Sequence, residues 1–424
     1  MKNQVQAVKG TRAFYPEQMK VRNWLYEKIR HISRQFGYEE YDGPFLEKID
    51  LYAAKSGEEL VKEQSFVFPD RGGDLITLRP ELTPSLARMV AEKQNELIYP
   101  LRWWSFGPFW RYERPQKGRT REFFQWNIDL IGLDSPSADA ELIGICALFL
   151  KFVGLSPDQV TIFVNHRQLI NQEITNLGIS DDVKKKVFKL IDRIDKMEGQ
   201  VWDGLLLEEG LTSEQLDGLK KLLNDQELWK KSDELTEIFG YLEDMGANEY
   251  VRFNPKIIRG LDYYTKVVFE AWDIGGDGRA ILGGGHYDNL VSDLGGEPLP
   301  GVGFAMGDVM INLILEKYGC LPQSNFHEGT VLVTTFDGSG QSLSINIARE
   351  LRANGISAIT YPQTAKLQKQ LKFADKLGIK IVLMVGPSEI ESDSVTIKNL
   401  TTTAQVTVPR KELLQVVKEI LAQG

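Results

Sequence analysis

The sequence has few cysteines and no segment that is long and apolar enough to suggest a membrane span. Its two cysteines, Cys146 and Cys320, have no CxxC partner and no neighbouring histidine, which argues against a disulfide framework or a zinc cluster. The first residues lack the apolar core of a signal peptide. The most apolar stretch, Ile143 to Val153, is too short for a bilayer and contains Lys151. These absences predict a cytoplasmic protein with no membrane partner.

The sequence also lacks the composition of a disordered or fibrous protein. Of its 424 residues, 42% are hydrophobic and 26% are charged, as in ordinary globular proteins. The net charge is −9, from 50 basic and 59 acidic residues, so nothing global indicates a non-specific nucleic-acid binder. At roughly 150 residues per domain, the length leaves room for about three domains.

Helical patterns are clearest near the amino terminus. Apolar residues recur at three- and four-residue steps from Glu17 to Phe36, after Pro16 and before Gly37, which predicts an amphipathic helix with start and stop signals. Short β-rich runs follow. A second helix is predicted from about Ser137 to Gly154.

The middle of the chain changes composition and predicts an inserted helical region. Between Asn165 and Tyr250 the sequence is rich in Lys, Glu, Asp and Leu, and Thr212 and Gln215 have the spacing of a capping box. Strand-like runs return from Leu261 to Trp272, and a helix is predicted from Met310 to Tyr318.

The last hundred residues predict a small α/β domain. The apolar runs Val331–Thr335 and Ile379–Val385 alternate with helical patterns at Ser342–Ala353 and Lys366–Leu377, which indicates a mainly parallel sheet. The predicted division of the chain is a first domain of residues 1–164 with 251–325, a helical insertion of residues 165–250, and a carboxy-terminal domain of residues 326–424.

The densest functional signal is the stretch FWRYERPQKGRTREFFQWNIDLIG. Strand alternation places Arg111 and Glu113 on one face of a first strand. It also places Gln125, Asn127 and Asp129 together on one face of a second strand, whose other face is apolar and belongs in the core.

The loop between those strands, RPQKGRTR, carries four cations around a glycine. Guanidinium groups on a glycine-containing loop suit a polyphosphate because they donate two hydrogen bonds at once. A solvated basic turn is an equally good interpretation of the loop alone. The cations are Arg114, Lys117, Arg119 and Arg121.

Two further stretches carry candidate binding groups. In TLRPELTPSLARM, the carboxylate of Glu81 could accept an ammonium group or could cap the helix that begins near Pro84, and capping is the commoner role. In IIRGLDYYTKVVFE, Arg259 beside Gly260 suggests a charge delivered from a tight turn, and Asp262, Tyr263 and Tyr264 are predicted to begin a strand. Taken alone, the tyrosines are better explained as aromatic residues packed in the core or at its rim.

Together these stretches resemble the histidyl-tRNA synthetase family of class II aminoacyl-tRNA synthetases. The resemblance covers almost the whole chain and is strongest in RGLDYYT; it also includes VKGTRAFYP, FGYEEYDGPFLE, RPELT, RYERPQKGRTREFFQ and GGGHYD. It implies an α+β fold with an antiparallel-sheet catalytic domain, a helical insertion and a C-terminal α/β anticodon-binding domain. The implied reaction is activation of histidine by ATP, releasing AMP when histidine is esterified to tRNA.

The resemblance also implies residue roles around ATP. Arg111 and Arg259 would hold the α-phosphate from two sides and act in catalysis, Arg119 would bind the β- and γ-phosphates, and Glu113 would lie near the adenine. Magnesium would bridge the departing pyrophosphate. Arginines that flank the phosphorus would stabilise the negative charge that builds during attack by a carboxylate.

A histidine pocket is implied by the same resemblance. Glu81, Thr83 and Gln125 would bind the ammonium group, and Asp129 and Tyr264 would pair with the two imidazole nitrogens. A site that satisfies both nitrogens rejects apolar side chains of similar size. The full implied set is Glu81, Thr83, Gln125, Asp129, Tyr263, Tyr264 and Tyr287.

The remaining implied partners are tRNA and a second copy of the chain. Lysines in the tail recur at helical spacing and would contact tRNA phosphates, although a solvated helix face is the usual explanation of such a stripe. The implied homodimer would place the stretch around Pro44 at its interface. The lysines are Lys366, Lys369, Lys372 and Lys376.

The sequence departs from the family pattern at one important place. Asp308, Val309 and Met310 stand where class II enzymes usually have Glu-Arg opening a helix, so an expected ATP-binding arginine is absent. His286 also replaces the usual arginine of GGGRYD. The main alternative function is a non-catalytic histidine sensor, such as the regulatory subunit of ATP phosphoribosyltransferase, which lacks the anticodon-binding tail and usually the intact RGLDYY stretch. A third is a pseudo-synthetase that only binds RNA.

Overall fold

The chain folds around three β-sheets that belong to two structural units. The computed structural model describes residues 5–53, 63–194, 197–258, 263–276, 279–322, 327–336 and 338–422. One unit comprises Val21–Leu321 with the residues before Tyr15, and the other comprises Tyr15–Lys20 with the residues from Pro322 onward. The predicted domain boundaries are finer than this division and stay predictions.

The described helices and strands up to residue 322 have the following bounds. The helices are α1 (Pro16–Gln35), α2 (Asp50–Ala53), α3 (Thr83–Lys93), α4 (Pro136–Phe152), α5 (Arg167–Asn176), α6 (Asp181–Ile191), α7 (Gly199–Glu208), α8 (Ser213–Asn224), α9 (Asp233–Asp244), α10 (Leu290–Asp293) and α11 (Asp308–Lys317). The strands are β1 (Glu39–Glu40), β2 (Leu46–Lys48), β3 (Phe66–Pro69), β4 (Leu75–Leu78), β5 (Leu101–Trp110), β6 (Glu122–Ile131), β7 (Val160–His166), β8 (Val251–Phe253), β9 (Val267–Asp273), β10 (Ala280–Tyr287) and β11 (Gly301–Gly307).

The described elements after residue 327 are shorter and alternate more regularly. The helices are α12 (Gly338–Ala353), α13 (Leu367–Leu377), α14 (Pro387–Glu391) and α15 (Leu413–Ala422). The strands are β12 (Val331–Val333), β13 (Ala358–Thr360), β14 (Ile381–Met384), β15 (Ser394–Asn399) and β16 (Gln405–Pro409).

The largest sheet has eight strands in the order β1-β5-β6-β11-β10-β9-β7-β8. Its ladders from β5 to β7 are antiparallel, and only the two edge strands, β1 and β8, pair in parallel. The predicted α+β class with an antiparallel sheet is confirmed. A smaller sheet, β2-β4-β3, lies in the same unit.

One face of the large sheet is buried by helix α4. Trp126 on β6 contacts Phe149 on α4 with ring centroids 5.0 Å apart, and contacts Phe304 on β11 at 4.8 Å. The apolar side chains of β6 alternate as the sequence predicted, and Ile128 and Leu130 are fully buried. The apolar run that includes Leu150 is therefore a core helix. No described helix is both long and apolar enough to cross a membrane.

The segment between β7 and β8 is helical, as its composition predicted. Helices α5 to α9 occupy it, and α8 begins with the predicted capping box, in which Thr212 and Gln215 each bond the other's backbone nitrogen. The strand before it extends to His166, so the helical part begins at Arg167 rather than at Asn165.

The sheet of the second unit differs from its prediction. Strand β12 pairs in parallel with β13 and β14, but β14–β15 and β15–β16 are antiparallel, so the sheet is mixed rather than mainly parallel. Strand direction depends on the connections between strands, and two short connections near the end of the chain reverse it. The two helices predicted in this unit are confirmed, with α12 beginning at Gly338.

Candidate active site

Four neighbouring strands, β6, β11, β10 and β9, line a cavity of about 430 Å³. The register pairs Asp129 on β6 with Gly303 on β11, and Asn127 with Ala305. A Cβ at Gly303 would lie 2.6 Å from Asp129 Cγ, so only glycine leaves room for this carboxylate. The predicted shared face of Gln125, Asn127 and Asp129 therefore lines one cavity.

Asp129 lies at the base of this cavity with 3% of its surface exposed. The hydroxyl of Tyr287 donates a hydrogen bond to Asp129 Oδ1 at 3.0 Å. Burial raises the pKa of Asp129 to about 7, and the hydrogen bond from Tyr287 opposes that rise. The carboxyl group is thus poised to gain or lose a proton near neutral pH.

Three tyrosines form one wall of the cavity. The rings of Tyr263 and Tyr264 meet edge to face at 5.0 Å, and those of Tyr263 and Tyr287 at 6.0 Å. Burial raises the pKa of each phenol, so each keeps its proton and can donate a hydrogen bond at neutral pH. Strand β9 begins only at Val267, so both Tyr263 and Tyr264 precede the strand that they were predicted to begin.

Glu81 and Thr83 line the same cavity from the start of helix α3. The N-cap of α3 is Leu82, and no side chain caps the helix, so the capping role considered for Glu81 is not formed. Tyr263 donates a hydrogen bond to Glu81 Oε2 at 3.4 Å, and Tyr52 donates one to the Glu81 carbonyl at 3.3 Å. These contacts hold a 4% exposed carboxylate against the cavity.

A second cavity, of about 230 Å³, adjoins the first. Arg111, Gln125, Gly283 and Ala305 line both cavities, while Glu113, Arg119 and Phe123 line only the second of the two. The guanidinium of Arg111 is therefore placed at the junction of the two spaces.

Arg111 and Glu113 lie beyond the strand on which they were predicted. The β5–β6 pairing ends at Trp110 and Glu122, so both residues belong to the connecting loop. Arg111 is held there because its Nε donates to the Pro80 carbonyl at 2.9 Å. Arg119 pairs with Glu113 at 3.2 Å, which keeps this cation at the second cavity.

Buried polar atoms on the cavity floor lack partners within the part of the chain that the structure describes. They are Gln125 Oε1 and Asn127 Nδ2. A buried donor or acceptor without a partner costs about 1–3 kcal/mol. A polar ligand that bonded these atoms would remove that cost, which supports the cavity as a binding site.

The structure adds three residues that the sequence analysis had not assigned to the site. Asn127 was placed on the correct strand face without a role, Glu270 lies on β9, and Asp192 follows helix α6 of the insertion; all three line the first cavity. Strand alternation in β9 could have indicated Glu270. No sequence signal connects Asp192 to strands that lie more than sixty residues away. Arg259 and Asp262 lie outside the described residues.

The lysines of the tail lie on one short segment of the second unit. Lys369, Lys372 and Lys376 are on helix α13, whereas Lys366 is its N-cap and precedes the helix on which it was predicted. All four side chains are exposed.

Comparison with known proteins decides the family. The family model described as histidyl-tRNA synthetase matches residues 10–309, and the model of an anticodon binding domain matches residues 330–420. The chain belongs to the histidyl-tRNA synthetase family. A histidine–tRNA ligase of Leptospira biflexa is 37% identical over 428 residues, covering 98% of each chain. The chloroplastic/mitochondrial ligase of Arabidopsis thaliana is 36% identical and covers 96% of this chain and 85% of its own.

The fold of a solved family member agrees with this assignment. The histidyl-tRNA synthetase of Nostoc superposes with a TM-score of 0.84 at 23% identity, over 99% of this chain and all of the other. The match to an anticodon binding domain also weighs against the histidine-sensor alternative. A regulatory subunit of that kind would lack this carboxy-terminal domain.

The two departures from the family pattern have structural explanations. Asp308 begins α11, two residues earlier than predicted, and is paired with Arg12 through two contacts of 2.9 and 3.0 Å. His286 is fully buried and bonds Asp139 through Nδ1 at 2.8 Å. Burial would lower the pKa of His286, but the hydrogen bond and charge of Asp139 outweigh it and raise the pKa. A hydrogen-bonded pair of His286 and Asp139 thus stands where the family pattern has an arginine.

Proposed function

We propose that the chain carries out the histidine–tRNA ligase reaction of its family in the two adjoining cavities. A carboxylate oxygen of histidine attacks the α-phosphorus of ATP, the bond to the β-phosphate breaks, and pyrophosphate leaves with the electron pair. Histidyl-adenylate is then attacked by the 3′-terminal adenosine of tRNA, which releases AMP.

The observation that carries this proposal is the position of Arg111 between the two cavities. The first cavity is lined by carboxylates and phenols that suit an ammonium group and an imidazole, and the second by cations that suit phosphates. The reacting carboxylate and the α-phosphorus must meet between them. A guanidinium fixed at that junction stabilises the charge that develops there without having to reorganise.

In the second cavity we assign the nucleotide contacts. Arg111 binds the α-phosphate, Arg119 exchanges its partner Glu113 for the β- and γ-phosphates, and Glu113 then faces the adenine. Arg259 approaches the α-phosphate from the other side on the evidence of the family resemblance alone. Mg²⁺ bound with ATP would supply positive charge that offsets the charge of the departing pyrophosphate.

In the first cavity we assign the histidine contacts. Glu81, Thr83 and Gln125 receive the ammonium group, and Gln125 Oε1 is the orphaned acceptor that this contact would satisfy. Asp129 and Tyr264 meet the two imidazole nitrogens, while Tyr263 and Tyr287 hold the carboxylates of Glu81 and Asp129 in place through their hydroxyls.

We also propose that the enzyme acts in the cytoplasm as a homodimer. Support comes from exposed apolar side chains that follow Pro44 and continue along the sheet β2-β4-β3, since an apolar surface of this kind marks an interface. Sedimentation velocity at micromolar concentration should give the mass of two chains. The exposed residues are Phe45, Leu46, Val67, Phe68 and Leu75.

The deciding experiment is amino-acid-dependent ATP–pyrophosphate exchange with each of the twenty amino acids. We expect exchange with histidine alone, its loss when Mg²⁺ is chelated, and esterification of histidine to tRNA in a second assay. Binding of histidine without exchange would favour the sensor, and tRNA binding without either activity would favour the pseudo-synthetase.

A further inference from the structure

Arg279 immediately precedes strand β10, near the helix start from which the expected arginine is missing. The last register pair of β10 and β11 is Leu282 with Met306. Arg279 is three residues before Leu282, and Met310 is four residues after Met306, so the two positions lie at the same end of the antiparallel strand pair. The chain thus has an arginine just before β10, close to the first turn of the helix that usually carries one.

The side chain of Arg279 reaches the loop that follows β5. Its Nη1 donates a hydrogen bond to the Lys117 carbonyl at 2.7 Å. A Cβ at Gly118 would lie 3.4 Å from the same nitrogen and would overlap Met310 Sδ. Arg279, the loop that carries Arg119 and the first turn of α11 therefore meet at one point.

The surroundings of Arg279 are suited to an anion. It lines a cavity of about 510 Å³ together with Lys117 and Lys317, and Met310 is shared with the smaller nucleotide cavity. The charge of Lys317 is balanced, because Asp273 accepts its hydrogen bond at 2.7 Å. No carboxylate of the described residues pairs with Arg279, so its guanidinium charge is available to a ligand.

We propose that Arg279 binds the β- and γ-phosphates of ATP together with Arg119 and so replaces the arginine that is absent from the stretch Asp308–Met310. This inference rests on the proposed function, since it concerns the same nucleotide. A guanidinium donates a planar pair of hydrogen bonds to phosphate oxygens, which a lysine or a glutamine cannot reproduce. The competing explanation is that Arg279 only braces the loop through the Lys117 carbonyl.

The first test compares ATP with AMP. The variant Arg279→Gln should bind ATP about 10- to 100-fold more weakly, as expected on losing a charge-assisted contact, while AMP affinity and the KM for histidine stay within two-fold. Lys317→Gln in the same cavity is the control and should leave ATP affinity within two-fold. Unchanged ATP affinity, or equal losses for ATP and AMP, would overturn the assignment, because a loop brace affects both nucleotides alike.

The second test introduces an arginine in the first turn of α11, where the family pattern has one, into the Arg279→Gln variant. Adding Met310→Arg, at the residue that lines both cavities, to Arg279→Gln should recover at least ten-fold of the lost kcat/KM for ATP in pyrophosphate exchange. No recovery in a folded double variant, as judged by its histidine KM, contradicts the proposal. Absence of histidine-dependent exchange in the unaltered protein would instead refute the proposed function, so the two failures can be told apart.

Discussion

Asp129 is a carboxyl group whose protonation the fold controls. It is buried beneath a polar cavity, it accepts one hydrogen bond from Tyr287, and its pKa is raised to about 7. A carboxylate in this state can accept a hydrogen bond from an imidazole, and a neutral carboxyl group can donate one. The proposed recognition of histidine and the folding stability therefore involve the same proton.

The first prediction concerns stability and pH. The unfolded chain releases the Asp129 proton near pH 4 and the folded chain only near pH 7, so between these values the folded state binds more protons. Raising the pH from 5 to 7 should therefore lower the wild-type free energy of unfolding relative to Asp129→Asn, by about 1.4 kcal/mol per pH unit. Urea unfolding of ligand-free proteins at pH 5, 6 and 7 measures the difference.

The control for that experiment is Glu243→Gln, which makes the same chemical change at an exposed position. Its stability difference from wild type should not vary with pH by more than a few tenths of a kcal/mol. An Asp129→Asn difference that is equally flat would show that the buried carboxyl group is already ionised at pH 5.

The second prediction concerns histidine recognition. Asp129→Ala removes the proposed partner of an imidazole nitrogen, so the KM for histidine should rise about 10- to 100-fold while the KM for ATP changes less than two-fold. Pyrophosphate exchange at varied histidine and ATP measures both constants. Asp134→Ala, at an exposed carboxylate just after the same strand, should leave both unchanged. A normal histidine KM in Asp129→Ala removes this residue from the pocket.

At the scale of elements, local signals predicted the helices well and the placement of loop residues poorly. Helix α1 was predicted to within one residue at each end, because Pro16 and Gly37 act on the neighbouring backbone. Alternation placed Gln125, Asn127 and Asp129 on one face because parity is a local property of a strand. Where a strand ends depends on pairing, which sequence spacing does not contain, so Arg111 was placed on β5 although it lies in the loop.

The third prediction compares two glycines inside helices of the insertion. A Cβ at Gly240 on α9 would meet no atom within 4 Å, whereas one at Gly218 on α8 would lie 2.6 Å from Leu177 Cδ2. Gly240→Ala should therefore stabilise the protein by about 0.5–1 kcal/mol, because alanine loses less backbone entropy. Gly218→Ala should stabilise the protein less than Gly240→Ala does, or should destabilise it. Urea unfolding checks the pair, and equal gains would show that Leu177 moves without cost.

At the scale of the whole molecule, the two units divide the proposed tasks. Both candidate cavities lie in the unit that contains the large antiparallel sheet, and the exposed lysines lie in the other. The sequence predicted a separate carboxy-terminal domain from the alternation of apolar runs and helical patterns and from the family resemblance. Adenylate chemistry and tRNA affinity should therefore respond to different substitutions.

The fourth prediction tests that division on the lysine stripe. The double variant Lys369→Glu/Lys372→Glu should weaken tRNA binding at least ten-fold at low salt and reduce the slope of log K against log salt by about 1 to 2. Histidine-dependent pyrophosphate exchange should not change. Lys411→Glu, at an exposed position in the same unit, is the control for charge alone. An equal loss in the control would show that helix α13 makes no specific contact.

The pair formed by Arg12 and Asp308 joins positions that are 296 residues apart in the chain. During synthesis, the wall that α11 contributes to the second cavity can therefore form only after about three quarters of the polypeptide has been made. A nascent chain that ends before Asp308 has the amino-terminal partner of this pair but not the helix that it holds.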